Sequence, residues 1–483
     1  MRMSRAAKVA LAAFVASGCG RINFDAINAG CELPAIEATG TEYFIGPAGS
    51  DAASGSSAAT AWATFAHAWT IVQPGDTLTL LDGVYRQPLS PTISGAPGAP
   101  ILIRAQHDGG AIIDGEAIHE ACAFQGTPTL IRDFDVVGIH CTNSSSSQAP
   151  FVISSAERIR VRRVTAYGIY IAVFDVSSSN DVVLEDVAAY GGGDNMYKFK
   201  SCQRPVLRRA YARWTTAGPQ GYQTGVYLED STDGLVENCV VTAVDSPDNY
   251  LTAYDVHTVN VAADRNRFLA NVAYGPLETA VLVSWTAPGG TLRPNGTVIR
   301  DHVTIANVNG VFLRADAMVS AEHLTLVAAA SAFPITPNQM ATQPIGFSLT
   351  NSVLSQGDMG IAYAADPIIV LTDHHDNVFD RMSTPYVSAA IAGENEPMLS
   401  IDWPTATYGN GAYLMRPPPL ATAGSGGGPV GAEILYRTID GELTTTPLWP
   451  WPLEDRIRNE TGMSVTWEAN GGLWHTLPPL PCP

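Results

Sequence analysis

Lysine is nearly absent from this 483-residue sequence: Lys8, Lys198 and Lys200 stand against twenty-four arginines. Basic residues as a class are also few, 27 against 46 acidic ones, for a formal charge of −19. That balance argues against nucleic acid and anionic membrane surfaces, which need a positive face. It is compatible with calcium, and with a locally basic groove on an acidic surface. No Cys-x-x-Cys pair occurs among the seven cysteines, so a zinc ribbon or dithiol redox motif is not expected. No apolar run approaches the ~20 residues of a membrane-spanning helix.

What is present begins with a leader. Arg2, Arg5 and Lys8 precede the short apolar run Val9–Ala16, and small residues follow up to Cys19. This pattern reads as a signal peptide over residues 1–18. Ala16-Ser17-Gly18-Cys19 is similar to a bacterial lipobox with alanine where leucine is usual, so Cys19 is the expected lipidation site. An ordinary export signal is the plainer alternative. The expected location is the cell envelope, as an outer-membrane lipoprotein, or outside the cell. Cys31, Cys122, Cys141, Cys202, Cys239 and Cys482 remain for disulfides, and spacing alone cannot choose among their pairings.

Residues 19–41 show little periodicity and read as a tether. From Tyr43 the chain carries Tyr43-Phe44-Ile45-Gly46-Pro47-Ala48-Gly49-Ser50-Asp51, then Trp62-Ala63-Thr64, Pro74-Gly75-Asp76-Thr77, Gly83-Val84-Tyr85 and Ile113-Asp114-Gly115. Trp62, Phe65, Ala66, Trp69 and Val72 share one helical face, which predicts a helix over Trp62–Val72. In content and order this series resembles the opening module of right-handed parallel β-helix proteins, notably the pectate lyase-like polysaccharide lyases. The resemblance covers Tyr43–Glu116 and implies an all-β solenoid.

An internal repeat supports the same architecture independently. Ile159–Gly168 recurs as Val182–Gly191 and again as Pro205–Trp214, a step of 23 residues each time. A period in the low twenties with short strands and few helix formers is that of a β-solenoid. The coil is expected over residues 42–400. The Pro- and Gly-rich segment 401–483 is expected to end in a short helix within Leu448–Asn459, as a cap over the last rung's open edge. A sugar-binding tryptophan cluster is the alternative for this tail.

The two lysines of the coil alternate with Tyr197 and Phe199, so both amines project from the face opposite the aromatics. Stacking rungs at the repeat offset forms two outward columns, Asp175/Lys198/Tyr227/Asp255 and Ser177/Lys200/Glu229/His257. Amines, a phenol, an imidazole and carboxylates would thus converge on one patch. Arg208, Arg209, Arg213 and Trp214 lie on the adjoining segment and would extend it. A ladder of surface ion pairs is the structural alternative.

Three readings follow. In the first, a uronate-containing acidic polysaccharide is cleaved by β-elimination, which needs a cation on the carboxylate, a base for the C5 proton and an acid for the leaving oxygen. Lys198 or Lys200 would be the base, each depressing the other's pKa. Arg208 or Arg213 would pair the carboxylate, and Tyr227 or His257 would be the acid. Asp175, Glu229, Arg209 and Trp214 would contact the sugar. The resemblance further implies calcium held by aspartates, with Asp194, Asp230, Asp245 and Asp248 as candidates. The second reading is a surface-tethered, monomeric glycan-binding scaffold. The third is a C5-epimerase, which shares the proton abstraction. A hydrolase of the polygalacturonase type would need an adjacent Asp pair and a Gly-His-Gly, and neither is found.

Overall fold

The computed structural model describes residues 39–479 except 127–128, 170, 216–221, 244–249, 286–291, 315, 317, 328–329 and 338–343. The leader with Cys19, and also Asp245 and Asp248, lie outside the described residues. Among the described residues the chain winds into a coil of three long sheets in which every pairing is parallel. The first sheet runs from Glu42–Ile45 to Ile369–His375 and the second from Gly83–Tyr85 to Met398–Leu399. The third runs from Cys122–Gln125 to Thr384–Ser388. From Ile101 to Ser388 each turn contributes one short strand to each sheet, so residues one repeat apart become lateral neighbours. Arg160 pairs with Val183, and Val183 in turn with Val206.

Two features set the shape of each turn. At the corner between the first and second sheets, successive rungs place Gly138, Arg163, Asp186, Arg209 and Asn238 at φ of 79°, 50°, 50°, 49° and 51°. One left-handed residue turns the chain there, and Gly, Asn and Asp adopt that conformation at least cost. Inside the coil, identical side-chain types stack. Phe124, Phe151, Phe174 and Tyr197 form an aromatic ladder with ring centroids 5.8, 5.3 and 5.1 Å apart. Tyr197 is buried in this ladder and Phe199 in the core between Val176 and Leu228, which forces Lys198 and Lys200 outward. Cys122 and Cys141 form a disulfide within the coil, while Cys202 and Cys239 are buried thiols.

Three sequence expectations are corrected. The predicted helix over Trp62–Val72 is only Phe65–Ala68, held at its start by the Thr64 hydroxyl. Ala66 is exposed and Ala68 takes its place in the core with Trp62, Phe65, Trp69 and Val72. The tail is not an end cap. It runs back along the outer face of the second sheet, covering a stripe that includes Tyr190, Val240, Val272, Val303, Val327, Val353 and Val378. An apolar stripe of that length on a solenoid flank has to be covered, whereas the end of the coil presents only one rung. Finally, Trp449, Trp451 and Trp474 are buried in this seam, so they are not a sugar platform.

The tail includes the helix Glu454–Thr461, closed by Gly462 in the left-handed conformation. Arg456 anchors it to the coil, donating to Ile139 O at 2.6 Å, Thr165 Oγ1 at 2.9 Å and Asp108 Oδ1 at 2.9 Å. Trp449→Ala should therefore loosen the seam as a whole. It removes a buried indole whose N–H donates to Ile434 O at 2.7 Å. The expected loss is about 3–5 kcal/mol, seen as a lowered thermal midpoint and early proteolysis after residue 400. An unchanged midpoint would mean that the tail is not integral to the fold.

Candidate functional site

The outer face of the third sheet carries the lysines, and the strand pairings create the two expected columns. Asp175 pairs with Lys198, Lys198 with Tyr227 and Tyr227 with Asp255. Ser177 pairs with Lys200, Lys200 with Glu229 and Glu229 with His257. The strand Asn195–Lys200 is entered through Gly191, at φ 123°, where a Cβ would lie 1.9 Å from Gly168 O. Only glycine fits there, because the turn passes directly beneath the preceding rung. Trp214 is buried beside this loop and donates its indole N–H to Gly193 O at 3.0 Å, so it supports the lysine strand without facing solvent.

Electrostatics divides the two amines. Lys200 Nζ lies 2.8 Å from Glu229 Oε1. That hydrogen-bonded carboxylate raises the pKa of Lys200 above its ordinary value, against the opposing effect of burial. Lys200 is thus held as the ammonium ion, which corrects the expectation of a depressed pKa there. Lys198 forms no hydrogen bond or ion pair with any described residue. Burial raises the pKa of Asp175 and of Asp194, and the Lys198 charge opposes the rise at both.

Beyond the lysines lies a polar chain that sequence reasoning only partly found. Tyr222 donates its hydroxyl to Asp255 Oδ2 at 2.9 Å. The Ser284 hydroxyl lies 2.6 Å from His257 Nδ1 and 3.5 Å from Asp255 Oδ1. Asp255 is fully buried, and burial pushes its pKa up to about 7. Burial likewise lowers the pKa of His257, which favours the neutral imidazole. The Tyr227 ring lies 5.8 Å from the His257 ring. Burial, then the charges of Asp255 and Glu229, raise the Tyr227 phenol's pKa and keep it protonated. Ser284 follows His257 in the second column, but unequal loop lengths shift its offset to 27 residues and hide it from a fixed period.

The expected arginines are elsewhere. Arg208 belongs to the first sheet, in a column with Arg162, Glu185 and Glu237, and its Nε lies 3.0 Å from Glu237 Oε1. It also pairs with Asp440 of the tail. Arg209 is a fully buried corner residue, paired with Asp186 at 2.7 Å and with Glu185. Arg213 lies on the second sheet under the tail, with Nη1 3.3 Å from the Tyr211 hydroxyl and 3.4 Å from Gly471 O. Each is near the lysines in sequence, but the chain turns one or two corners between them. A cavity of about 330 Å³ also lies on the second sheet, lined in part by His140, Tyr167, Tyr190 and Glu460. Its His140 and Glu460 are engaged by Thr165 and Arg456, which hold the tail in place.

Of the four aspartates expected to hold calcium, Asp245 and Asp248 lie outside the described residues, which leaves Asp194 and Asp230 to be placed. Asp230 accepts from the backbone N–H groups of Val259, Asn260 and Val261 at 2.7, 3.0 and 3.2 Å, so it folds a turn instead of offering free oxygens. Within those residues no group of three or more His, Cys, Asp or Glu side chains is placed to hold a metal ion.

No protein-family model matches the chain, and no curated protein does. Among solved structures it is similar to an alginate lyase from Paenibacillus sp., at 16% identity and TM-score 0.41, covering 53% of this chain and 89% of that one. It is also similar to the A-module of a mannuronan C-5 epimerase from Azotobacter vinelandii, at 13% identity and TM-score 0.46, covering 68% and 91%. A pectate lyase matches at 13% identity and TM-score 0.38, covering 75% and 82%. The chain is a right-handed parallel β-helix. At these identities the likeness concerns the fold alone.

The buried carboxyl of Asp255 makes stability depend on pH. Its pKa is about 7 in the folded state and about 3.9 in an unfolded chain. The folded protein therefore retains a proton over that interval which the unfolded chain has lost. Its contribution is complete below about pH 4 and is lost as pH rises through about 7. Asp255→Asn should remove this dependence, shrinking the drop in thermal midpoint between about pH 5 and about pH 7.5. A drop as large as in the wild type would mean that Asp255 is already ionised at the lower pH.

Proposed function

We propose that this protein acts on uronate-containing polysaccharide at the outer face of the third sheet, as a lyase working by β-elimination. The observation that carries the reading is the convergence of Lys198, Lys200, Tyr227 and His257 in two adjacent columns. A uronate carboxylate at Lys198, within the field of the Lys200 ammonium, would have its negative charge neutralised. Delocalisation of charge from C5 into that carboxylate would be stabilised at the same place. His257, neutral in its buried setting, takes the C5 proton. The C5 electron pair forms the C4–C5 double bond, and the C4–O bond breaks. Tyr227, kept protonated, donates its proton to the departing sugar oxygen. The lysines bind charge in this scheme, and neither is the base.

Turnover would appear as ultraviolet absorbance from unsaturated uronate ends, screened over pectate, alginate and glycosaminoglycans. His257→Gln is expected to lower kcat by about 100-fold or more with little change in KM. Lys198→Met is expected to raise KM as well as to lower kcat. Exchange of the C5 proton with solvent without chain cleavage would identify epimerisation in place of elimination. Binding with neither activity would leave a glycan-binding scaffold, and the absence of both binding and turnover would end the proposal.

We also propose export to the cell envelope and anchoring through lipid on Cys19, supported by the basic start, the short apolar run and the small residues before the cysteine. Metabolic labelling with a fatty-acid probe should be lost in Cys19→Ala. Equal labelling of that variant would rule the anchor out.

A further inference from the structure

The second column continues past His257 and ends on another cation. His257 pairs with Ser284, and Val283 with Leu313, so the next residue, Arg314, stands beside Ser284. The Arg314 backbone N–H donates to Val283 O at 2.9 Å, which fixes this placement. Leu313 is buried, so Arg314 projects outward like His257 and Lys200. Its guanidinium carbon lies 5.8 Å from the ring centre of Phe312, which occupies the first column beside Leu282.

The surroundings of this guanidinium differ from those of the arginines that bridge neighbouring rungs. Arg158, Arg204 and Arg265 each fork onto an aspartate of a neighbouring rung, Asp133, Asp181 and Asp233, with Nε 2.7 Å from the carboxylate. Arg314 has no carboxylate within ion-pair distance among the described residues. Its Nε is buried and has no hydrogen-bond partner. A buried guanidinium N–H without an acceptor is costly, and a planar fork of this kind matches a carboxylate. Lys198, beside Asp175 in the first column, likewise has no ion-pair partner among the described residues. The two stand four rungs apart, about 19 Å at the spacing of paired strands, with Tyr227 and His257 between them.

We propose that Arg314 is a second carboxylate-binding position, which holds a uronate several sugars away from the one at Lys198. The inference rests on the acidic-glycan reading of the groove and adds a direction to it. The polysaccharide lies along the axis of the coil, crossing rungs, with one carboxylate at each cationic end. Short oligouronides would reach only one end, and longer ones would span both.

The test compares wild-type protein with Arg314→Gln, in kinetics and in equilibrium binding, on oligouronides of increasing length prepared from alginate and from pectate. For long chains the variant should show KM and Kd raised about tenfold, the equivalent of one charged contact, with kcat unchanged. The shortest substrates should be unaffected, and binding of long chains should depend less steeply on salt. Arg314→Lys should recover part of the loss, since it restores charge without the fork. An equal loss at every chain length, or none at any length, would overturn the proposal while leaving the groove reading intact. A wild-type protein that neither binds nor cleaves any of these substrates would defeat the groove reading, and this inference with it.

Discussion

Everything in this molecule depends on the parallel hydrogen-bond ladder between successive turns. In a coil of paired strands a residue's lateral neighbour is set by the repeat offset, so chemistry is arranged in columns that run across turns. The aromatic ladder from Phe124 to Tyr197 holds that register from within, since a slip of one residue would turn Tyr197 outward and bury Lys198. The same ladder that supplies the core therefore also positions the site.

This explains which parts of the protein were legible in its sequence. The three 23-residue repeats are equal in length, so pairing Lys198 with Asp175 needs only subtraction. The next steps hold because the strand patterns of Gly225–Glu229 and Tyr254–His257 are strong enough to reset the register after a loop. Ser284 and Arg314 follow at further unequal offsets, and no single period reaches them. The arginines failed for another reason. Arg208, Arg209 and Arg213 are close to Lys200 along the chain, but a left-handed corner at Arg209 sends Arg208 and Arg213 to different faces. In a solenoid, nearness in sequence separates faces, and distance by one repeat unites them. The tail was misplaced because nothing in a local pattern says which of several apolar surfaces a segment will cover.

The three outer faces have been put to different uses. The second is closed by the tail. The first carries a column in which Arg162, Glu185, Arg208 and Glu237 alternate in sign. That is the ion-pair ladder considered as the plain alternative for the lysines, and it exists one face away. It shows what this fold does with charge when stability alone decides: each cation meets a carboxylate on the next rung.

The third face departs from that rule at defined points. Lys200 follows it, pairing with Glu229, but Lys198 stands between Asp175 and the Tyr227 phenol and forms no ion pair with a described residue. Asp255 meets Leu282 on one side and Tyr227 on the other, and it is buried with the His257 imidazole, Nδ1 3.9 Å away, as its one ion-pair contact among the described residues. Arg314 stands beside Ser284 and has no carboxylate within ion-pair distance among the described residues. Each departure costs stability, since a desolvated or unpaired charge is worse than a matched one. Such costs persist where a molecule that is absent from the free protein supplies the missing partner. The unmatched groups at the two ends of the patch are cations, which is what the proposed binding of an acidic polysaccharide asks of this face.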